Sequence, residues 1–472
     1  MSEILFGLVA LVAALVVVFF IALSIHWGSK RVTGLVPYVF YPVMLSIAII
    51  AILSNRDFSV SAILLGVKAV VRHPASAWIG RLTSLFVIFA CGERILHRIT
   101  SSDKPQAMPM LLFWSFTLYF LSNIVSPALF GRHTELSHEY LYVFLAGCAA
   151  MLMTPKEVDM SIISMRNANL LFLVLSAAML AWKPNMVLVN NYHGLLPFLN
   201  IRYAGLASHA NVLGPMVVVY LLCLWRKPFA WRPMNLFAWG LGLASLLLSQ
   251  SKTNWIACLL CFACIAYFGF RQQIRERLFD YRRPQLSILM IFGFILLCTM
   301  GLLVVMFGGL DGTLSRFVTS DEGFELMSLT GRDVIWQVAV QEWHKSPVFG
   351  YGLPLWDDAF RASIGMPYAT HAHSQFYQSL ASAGTIGAIG LVLYAVVLLY
   401  ASARTAKASE GLSMALFVLI ASRSLSEVPL AMTGFAAEAL THVLLLVIIT
   451  ANYPLADRQA VRARRTRMPG MA

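Results

Sequence analysis

The chain has 472 residues, 59% of them hydrophobic and 12% charged, with 35 Lys and Arg against 22 Asp and Glu for a formal net charge of +13. Soluble domains carry about 25% charged residues, so this composition, with a mean hydropathy of +0.74, excludes an ordinary soluble enzyme. The positive charge does not argue for nucleic acid: the basic residues sit in short loops between apolar runs and in the C-terminal tail, the distribution that the positive-inside rule produces.

Apolar runs approach the length that crosses about 30 Å of hydrocarbon. They predict helices at about 4–25, 34–53, 78–96, 109–130, 139–153, 169–183, 210–225, 235–250, 254–270, 285–307, 380–401, 411–425 and 436–452. The first run lacks a basic leader and a small-residue cleavage site, so it reads as a retained span. Ser59–Val71 is apolar but short and holds Lys68. The expectation is an all-α polytopic membrane protein with about 12–14 transmembrane helices and one long, partly helical periplasmic loop. Residues 1–307 are then transmembrane helices with short loops, 308–378 the loop, 379–452 the C-terminal transmembrane helices, and 453–472 a basic cytoplasmic tail. All seven cysteines lie in apolar segments, so no disulfide framework is implied. Cys258, Cys261 and Cys264 lie close to one helix face, where helix packing is the simpler reading than a metal cluster.

Lys and Arg set the orientation. The stretch Arg271–Pro284 is cytoplasmic, and the loops with Arg226 and Lys227, with Lys156 and Arg166, with Arg98 and Lys104, and with Arg404 and Lys407 fall on its side. The tail (Arg458, Arg462, Arg464, Arg465, Arg467) joins them, within reach of anionic membrane lipids. The long loop falls outside and is net acidic. Within it Thr330 and Asp333 resemble a capping box. Trp336, Val340 and Trp343 recur at helical spacing and predict an amphipathic helix broken by Pro347, and Ser374 is a candidate N-cap for the next span.

The orientation brings distant polar residues to one outer face: Arg202–Gly205 with His209 and Asn211, the hairpin Ser249–Asn254 with Lys252, and the loop histidines His371 and His373. Nucleotide sugars and ATP are cytoplasmic, so an outer-face reaction needs a donor that carries its own energy, such as a polyprenyl diphosphate-linked glycan. Cations bind and stabilise the departing diphosphate, and a histidine can take the proton of a sugar hydroxyl. Each residue has a plainer reading: Arg202 and Lys252 as cations snorkelling to headgroups, the histidines as ordinary loop residues, Asp357 and Asp358 as solvated acids rather than metal ligands. Arg423 and Glu427 flank the outer end of the 411–425 span and are candidates to line the same cavity.

The ordered set resembles the O-antigen ligase and polymerase family of polytopic glycosyltransferases. Its elements run from Arg202-x-x-Gly205 with His209-x-Asn211, through Ser251-Lys252-Thr253, Gly331-Arg332 with Ile335-Trp336, Pro347 and Gly350-Tyr351-Gly352, to His373-Ser374-Gln375-Phe376-Tyr377-Gln378 before a span with Gly384, Gly387 and Gly390. The resemblance implies inverting, metal-independent transfer, without a cofactor, from undecaprenyl diphosphate at the periplasmic face of a Gram-negative inner membrane. His373 then matches the family's loop histidine as catalytic base, and Arg202 its first diphosphate-binding arginine. Lys252 stands where the family usually has arginine, which weakens bidentate binding. Arg332, His371, Tyr203, Gln375 and Arg423 are further candidates for substrate binding. One long outer loop favours a ligase, with O-antigen polysaccharide as cargo and a lipid A–core sugar as acceptor. The alternatives are an O-antigen polymerase or a protein O-oligosaccharyltransferase. A transporter of lipid-linked sugar needs ionisable groups at mid-membrane, where His442 is the main candidate.

Overall fold

A computed structural model describes residues 34–58, 73–100, 109–137, 139–190, 192, 199–278, 332–366 and 369–467, with scattered positions between 282 and 295. The expected span at 4–25, Ser59–Val71, most of 285–307, Thr330 and Cys298 lie outside these residues. The helices are α1 (Phe40–Leu53), α2 (Pro74–Thr100), α3 (Met110–Phe130), α4 (Tyr140–Ala150), α5 (Pro155–Trp182), α6 (Ala210–Arg226) and α7 (Arg232–Leu248). They continue as α8 (Lys252–Leu278), α9 (Arg332–Lys345), α10 (Asp358–Ser363), α11 (Gln375–Thr405), α12 (Leu412–Ser424) and α13 (Ala437–Arg467). Among the described residues seven helices are long and apolar enough to cross a membrane, and α4, α6 and α12 are shorter apolar helices. The protein is an all-α polytopic membrane protein.

Most element bounds fall within a few residues of the expected ones. The large exception is α5, which starts at Pro155 rather than near 169. Its polar first half is held by chemistry that hydropathy does not see. Thr154 and Glu157 form a capping box, with Pro155 at the first helical position. The Glu157 carboxylate accepts from the Thr154 N–H and hydroxyl, from Gly34 N–H, and from Arg94. The tail also departs from expectation: α13 continues through Pro454 to Arg467.

Val217–Leu224 of α6 and Leu444–Ile449 of α13 are buried on every side, as the centre of a bundle requires. Cys261 on α8 donates to Ala415 O on α12, in line with the helix-packing reading of the cysteine face.

Two local devices shape the end of the bundle that carries the 332–374 loop. The first is a break in α11. Gly384 has φ of +68°, and a Cβ there would stand 2.3 Å from Val348 O, so only glycine fits. The break frees backbone groups, and the segment 347–352 takes them: Tyr351 N–H donates to Ala381 O, Gly352 N–H to Ser382 O, and Thr385 N–H to Pro347 O, at 2.8, 3.0 and 2.8 Å. The opposite edge of this strap accepts from Arg132 and His133 N–H. Gly350-Tyr351-Gly352 is therefore a backbone bridge between the end of α3 and the broken turn of α11. The second device is a three-residue antiparallel ribbon, β1 (Leu188–Asn190) and β2 (Ile201–Tyr203), in which Val189 pairs with Arg202. Arg56 braces it from beneath. Its guanidinium is 5% exposed and donates to Met186 O, Gly205 O and Ala207 O.

Candidate functional site

Glu427 is the hub of the end of the bundle that carries the loop histidines. It lies just past α12, where its backbone N–H bonds Arg423 O, and it is 7% exposed. His371 Nε2 and His373 Nδ1 both stand 3.2 Å from Glu427 Oε2. Arg332 and Arg423 each approach Oε1 at 3.9 Å, and Arg423 also reaches Glu438 at 3.5 Å. Asn211 Nδ2 donates to the same Oε1 at 3.5 Å, while its Oδ1 accepts from Arg202 Nη2 at 2.6 Å and from Ser251 Oγ at 3.2 Å. Residues from four parts of the chain thus meet at one carboxylate.

The hydrogen bonds fix what each histidine can do. His371 Nδ1 accepts from the His373 N–H at 3.1 Å, so its Nε2 must carry the proton that Glu427 receives. Both His371 nitrogens are committed. Burial and the neighbouring His373 hold its pKa down to about 4, with Glu427 opposing, so it stays neutral near pH 7. His373 Nδ1 must likewise donate to the ionised carboxylate. That leaves the lone pair of Nε2, which takes no hydrogen bond among the described residues, open for a proton. An imidazole oriented by a carboxylate through its other nitrogen is the arrangement of a general base. Burial pushes the Glu427 carboxyl up, but the His373 hydrogen bond, Arg423 and the two histidines outweigh it and hold it at about 2. Desolvation by the surrounding protein and the charge of Arg202, with Glu427 opposing, lower His209 to about 4.

His373 has φ of 48°, left-handed backbone that a non-glycine residue adopts at a cost of roughly 1–3 kcal/mol. Three bonds keep it there: His373 N–H to His371, Ala372 N–H to Gln378 Oε1 at 3.0 Å, and Trp336 Nε1 to Ala372 O at 2.9 Å. Ser374 is the N-cap of α11 by position, though its hydroxyl makes no cap bond.

The structure gathers Arg202, Arg332, His371, His373 and Arg423 from the sequence candidates. Arg202 is half-buried and stacked over Tyr192, with the cation 4.8 Å from the ring centre. Its Nε donates to Ser249 O at 3.0 Å. Three candidates stand apart. Lys252 is exposed at the head of α8; its neighbour Ser251, not the lysine, makes the bond to Asn211. Tyr203 is buried in the core. Gln375 is a buried brace, donating to the Tyr119 hydroxyl at 3.3 Å and accepting from Leu430 N–H at 2.9 Å. Asp357 caps α10 and Asp358 pairs with Arg361, so both acids have local partners. His442 meets the Tyr394 hydroxyl inside the bundle.

Sequence reasoning undervalued Glu427 and left out Asn211 as a bridge and Arg56 as a brace. A glutamate and an arginine four residues apart at the outer end of an apolar span were the available signal for Glu427. The carbonyl bonds of Arg56 have no counterpart in sequence pattern.

His371, His373 and Glu427 also offer three ligand atoms within 4.8 Å of one another, a donor set that suits a divalent cation. Arg332 and Arg423 beside the same carboxylate oppose a second cation there, and the hydrogen bonds already account for the positions of all three groups.

Beside His373 an apolar groove of about 280 Å³ opens between α11 and α12, walled by Phe376, Leu391, Ala395, Phe417, Ala421 and Leu425. The histidine–carboxylate pair and its guanidiniums thus lie beside an apolar groove in a bundle of membrane helices. Residues 236–392, about a third of the chain, match the family model described as O-antigen ligase. The matched stretch runs from α7 into α11 and contains Lys252, Arg332, His371 and His373. Comparison with curated proteins gives no match.

Proposed function

We propose that the protein is an inverting, metal-independent glycosyltransferase that moves O-antigen polysaccharide from undecaprenyl diphosphate to a sugar hydroxyl of lipid A–core, at the periplasmic face of a Gram-negative inner membrane. The observation that carries this reading is the pairing of His373 with Glu427, which leaves Nε2 as a base among three arginines. The family match supports the lipid-linked glycan as substrate class.

In this reaction the polyprenyl chain lies in the α11–α12 groove. The diphosphate rests against Arg202, with Arg332 and Arg423 adding positive charge; Lys252, exposed at the head of α8, reaches the diphosphate only by swinging toward it. His373 Nε2 removes the proton of the acceptor hydroxyl as its oxygen attacks the anomeric carbon. The new C–O bond forms on the face opposite the diphosphate, so configuration inverts. The old C–O bond breaks with its electrons on undecaprenyl diphosphate, where the cations stabilise the charge. Glu427 holds the Nδ1–H tautomer and stabilises the imidazolium that forms. Arg202 is suited to this role because burial lowers its pKa, so the site is already partly desolvated before an anion arrives.

The test is lipopolysaccharide from a deletion strain complemented with wild type, His373→Ala or Arg202→Ala. Core-only lipopolysaccharide in the deletion strain, with long polymer kept on the lipid carrier and no rescue by His373→Ala, is the expected result. Core with a single repeat unit points to a polymerase instead. Full rescue by Arg202→Ala removes that residue from diphosphate binding.

A further inference from the structure

The chemistry above leaves a second groove beside His373 unused. It lies on the outer face of α9, where Asp333, Trp336, Gln337, Val340 and Gln341 follow at i, i+3, i+4, i+7 and i+8 and so share one face. With Tyr377 they line an open groove of about 510 Å³. The sequence pattern leaves open which face of this helix packs. Its inward stripe is Ile335 and Ala339, while Trp336 and Val340 stay half-buried at the groove. Asp333, Gln337 and Gln341 are exposed beside them. A plain solvent face has no call for a tryptophan and a valine, and a packing face would not carry a carboxylate and two carboxamides along its length. An apolar wall edged with amide donors and acceptors suits a sugar ring, whose C–H face packs while its hydroxyls bond.

The groove is fixed relative to the base. Trp336 donates to Ala372 O at 2.9 Å, in the residue before His373, and its ring stacks on Tyr377 with centroids 4.9 Å apart. Two grooves thus flank His373. The one between α11 and α12 is apolar and lies between membrane helices, so it suits a hydrocarbon chain. The one on α9 carries the hydrogen-bonding edge, and a base must face its acceptor. We propose that the α9 groove binds the acceptor glycan and presents its reacting hydroxyl to His373 Nε2. This rests on the reading of His373 as the base of glycan transfer.

The test uses the purified full-length enzyme, an undecaprenyl diphosphate-linked glycan as donor, and lipid A–core from a strain that makes no O-antigen as acceptor. The variants are Gln337→Ala/Gln341→Ala, which strips the polar edge, and Val340→Trp, which fills the groove. Neither touches the Ile335–Ala339 stripe, and thermal unfolding in detergent checks that both stay folded. Losing two hydrogen bonds to the sugar raises the acceptor KM about tenfold, while kcat and the donor KM stay at the wild-type values. An unchanged acceptor KM in both variants overturns the proposal. So does a raised donor KM with an unchanged acceptor KM, which would give the groove to the donor glycan. In both cases wild-type transfer persists and the reading beneath survives; a wild-type enzyme that transfers nothing overturns the two together.

Discussion

Two buried glutamates stand at opposite ends of the bundle, and they are held in different ways. Glu157, fully buried, is saturated by its own N-cap, a backbone N–H from Gly34 and the Arg94 guanidinium. Its backbone partners cannot leave without unwinding a helix start. Glu427 is surrounded by side chains from distant segments at 3.2 to 3.9 Å, none closed into a tight pair. The first arrangement locks structure. The second keeps charge in place while leaving room for partners to shift as a substrate arrives, and it pairs with an imidazole that has a nitrogen to spare.

Substitutions separate the two ends. His373→Ala is expected to reduce glycan transfer by about 10²–10⁴-fold, the worth of a general base, with the melting temperature of the purified protein unmoved. Transfer close to wild type would end the assignment of the base. At the other end, Arg94→Ala strands the Glu157 charge and is expected to cost about 3–5 kcal/mol of stability, seen as a lower melting temperature in detergent. Activity per folded molecule should survive, and a specific loss of transfer in fully stable protein would put Arg94 in the wrong class. Glu427→Gln loses the charge and can present its amide N–H to the ring, which favours the wrong tautomer, so transfer should fall by as much as about 10⁴-fold. Transfer close to wild type would remove Glu427 from orienting the imidazole.

Acidification sharpens the contrast more gently. His371 and His209 have folded pKa values near 4 against the ordinary 6.5, so the unfolded chain takes up their protons first. Stability should be level above pH 6.5 and decline as pH falls toward 4. Glu427, at about 2 against 4.5, contributes stability that is complete above 4.5 and is lost as pH falls through 2. Melting curves across this range check the sign, and stability that rises between pH 6.5 and 4 would contradict it. The smallest expected effect is that of a chelator: transfer after EDTA treatment should equal the untreated rate, and loss with recovery on adding one divalent metal would turn His371, His373 and Glu427 into ligands.

Much of the outer end was readable before any coordinates. Apolar run length gives the spans, and the sidedness of Lys and Arg puts Arg202, the Ser249–Asn254 hairpin and the loop histidines together. The rest depends on contacts that leave no period in sequence. Both Ile335–Ala339 and Trp336–Val340 fit a helix, and the period alone does not say which pair packs. Close approach to α11 selects small residues, with Ala339, Ala372 and Ala381 sharing one cluster. The polar start of α5 was hidden because hydropathy penalises Glu157 and Arg166 without seeing their partners. Likewise, the two histidines cannot be told apart by spacing alone. The His371 Nδ1 bond distinguishes them by using up its lone pair.

The strap at Gly350–Gly352 has a consequence for how this protein can diversify. It joins the loop to α3 and α11 through main-chain hydrogen bonds, which do not depend on side-chain identity. Apart from Trp336, whose indole holds Ala372, the outward stripe of α9 can therefore change residue by residue while the turn that holds His373 keeps its shape. Recognition of a new glycan would then be a surface edit, with the base and the cations inherited unaltered.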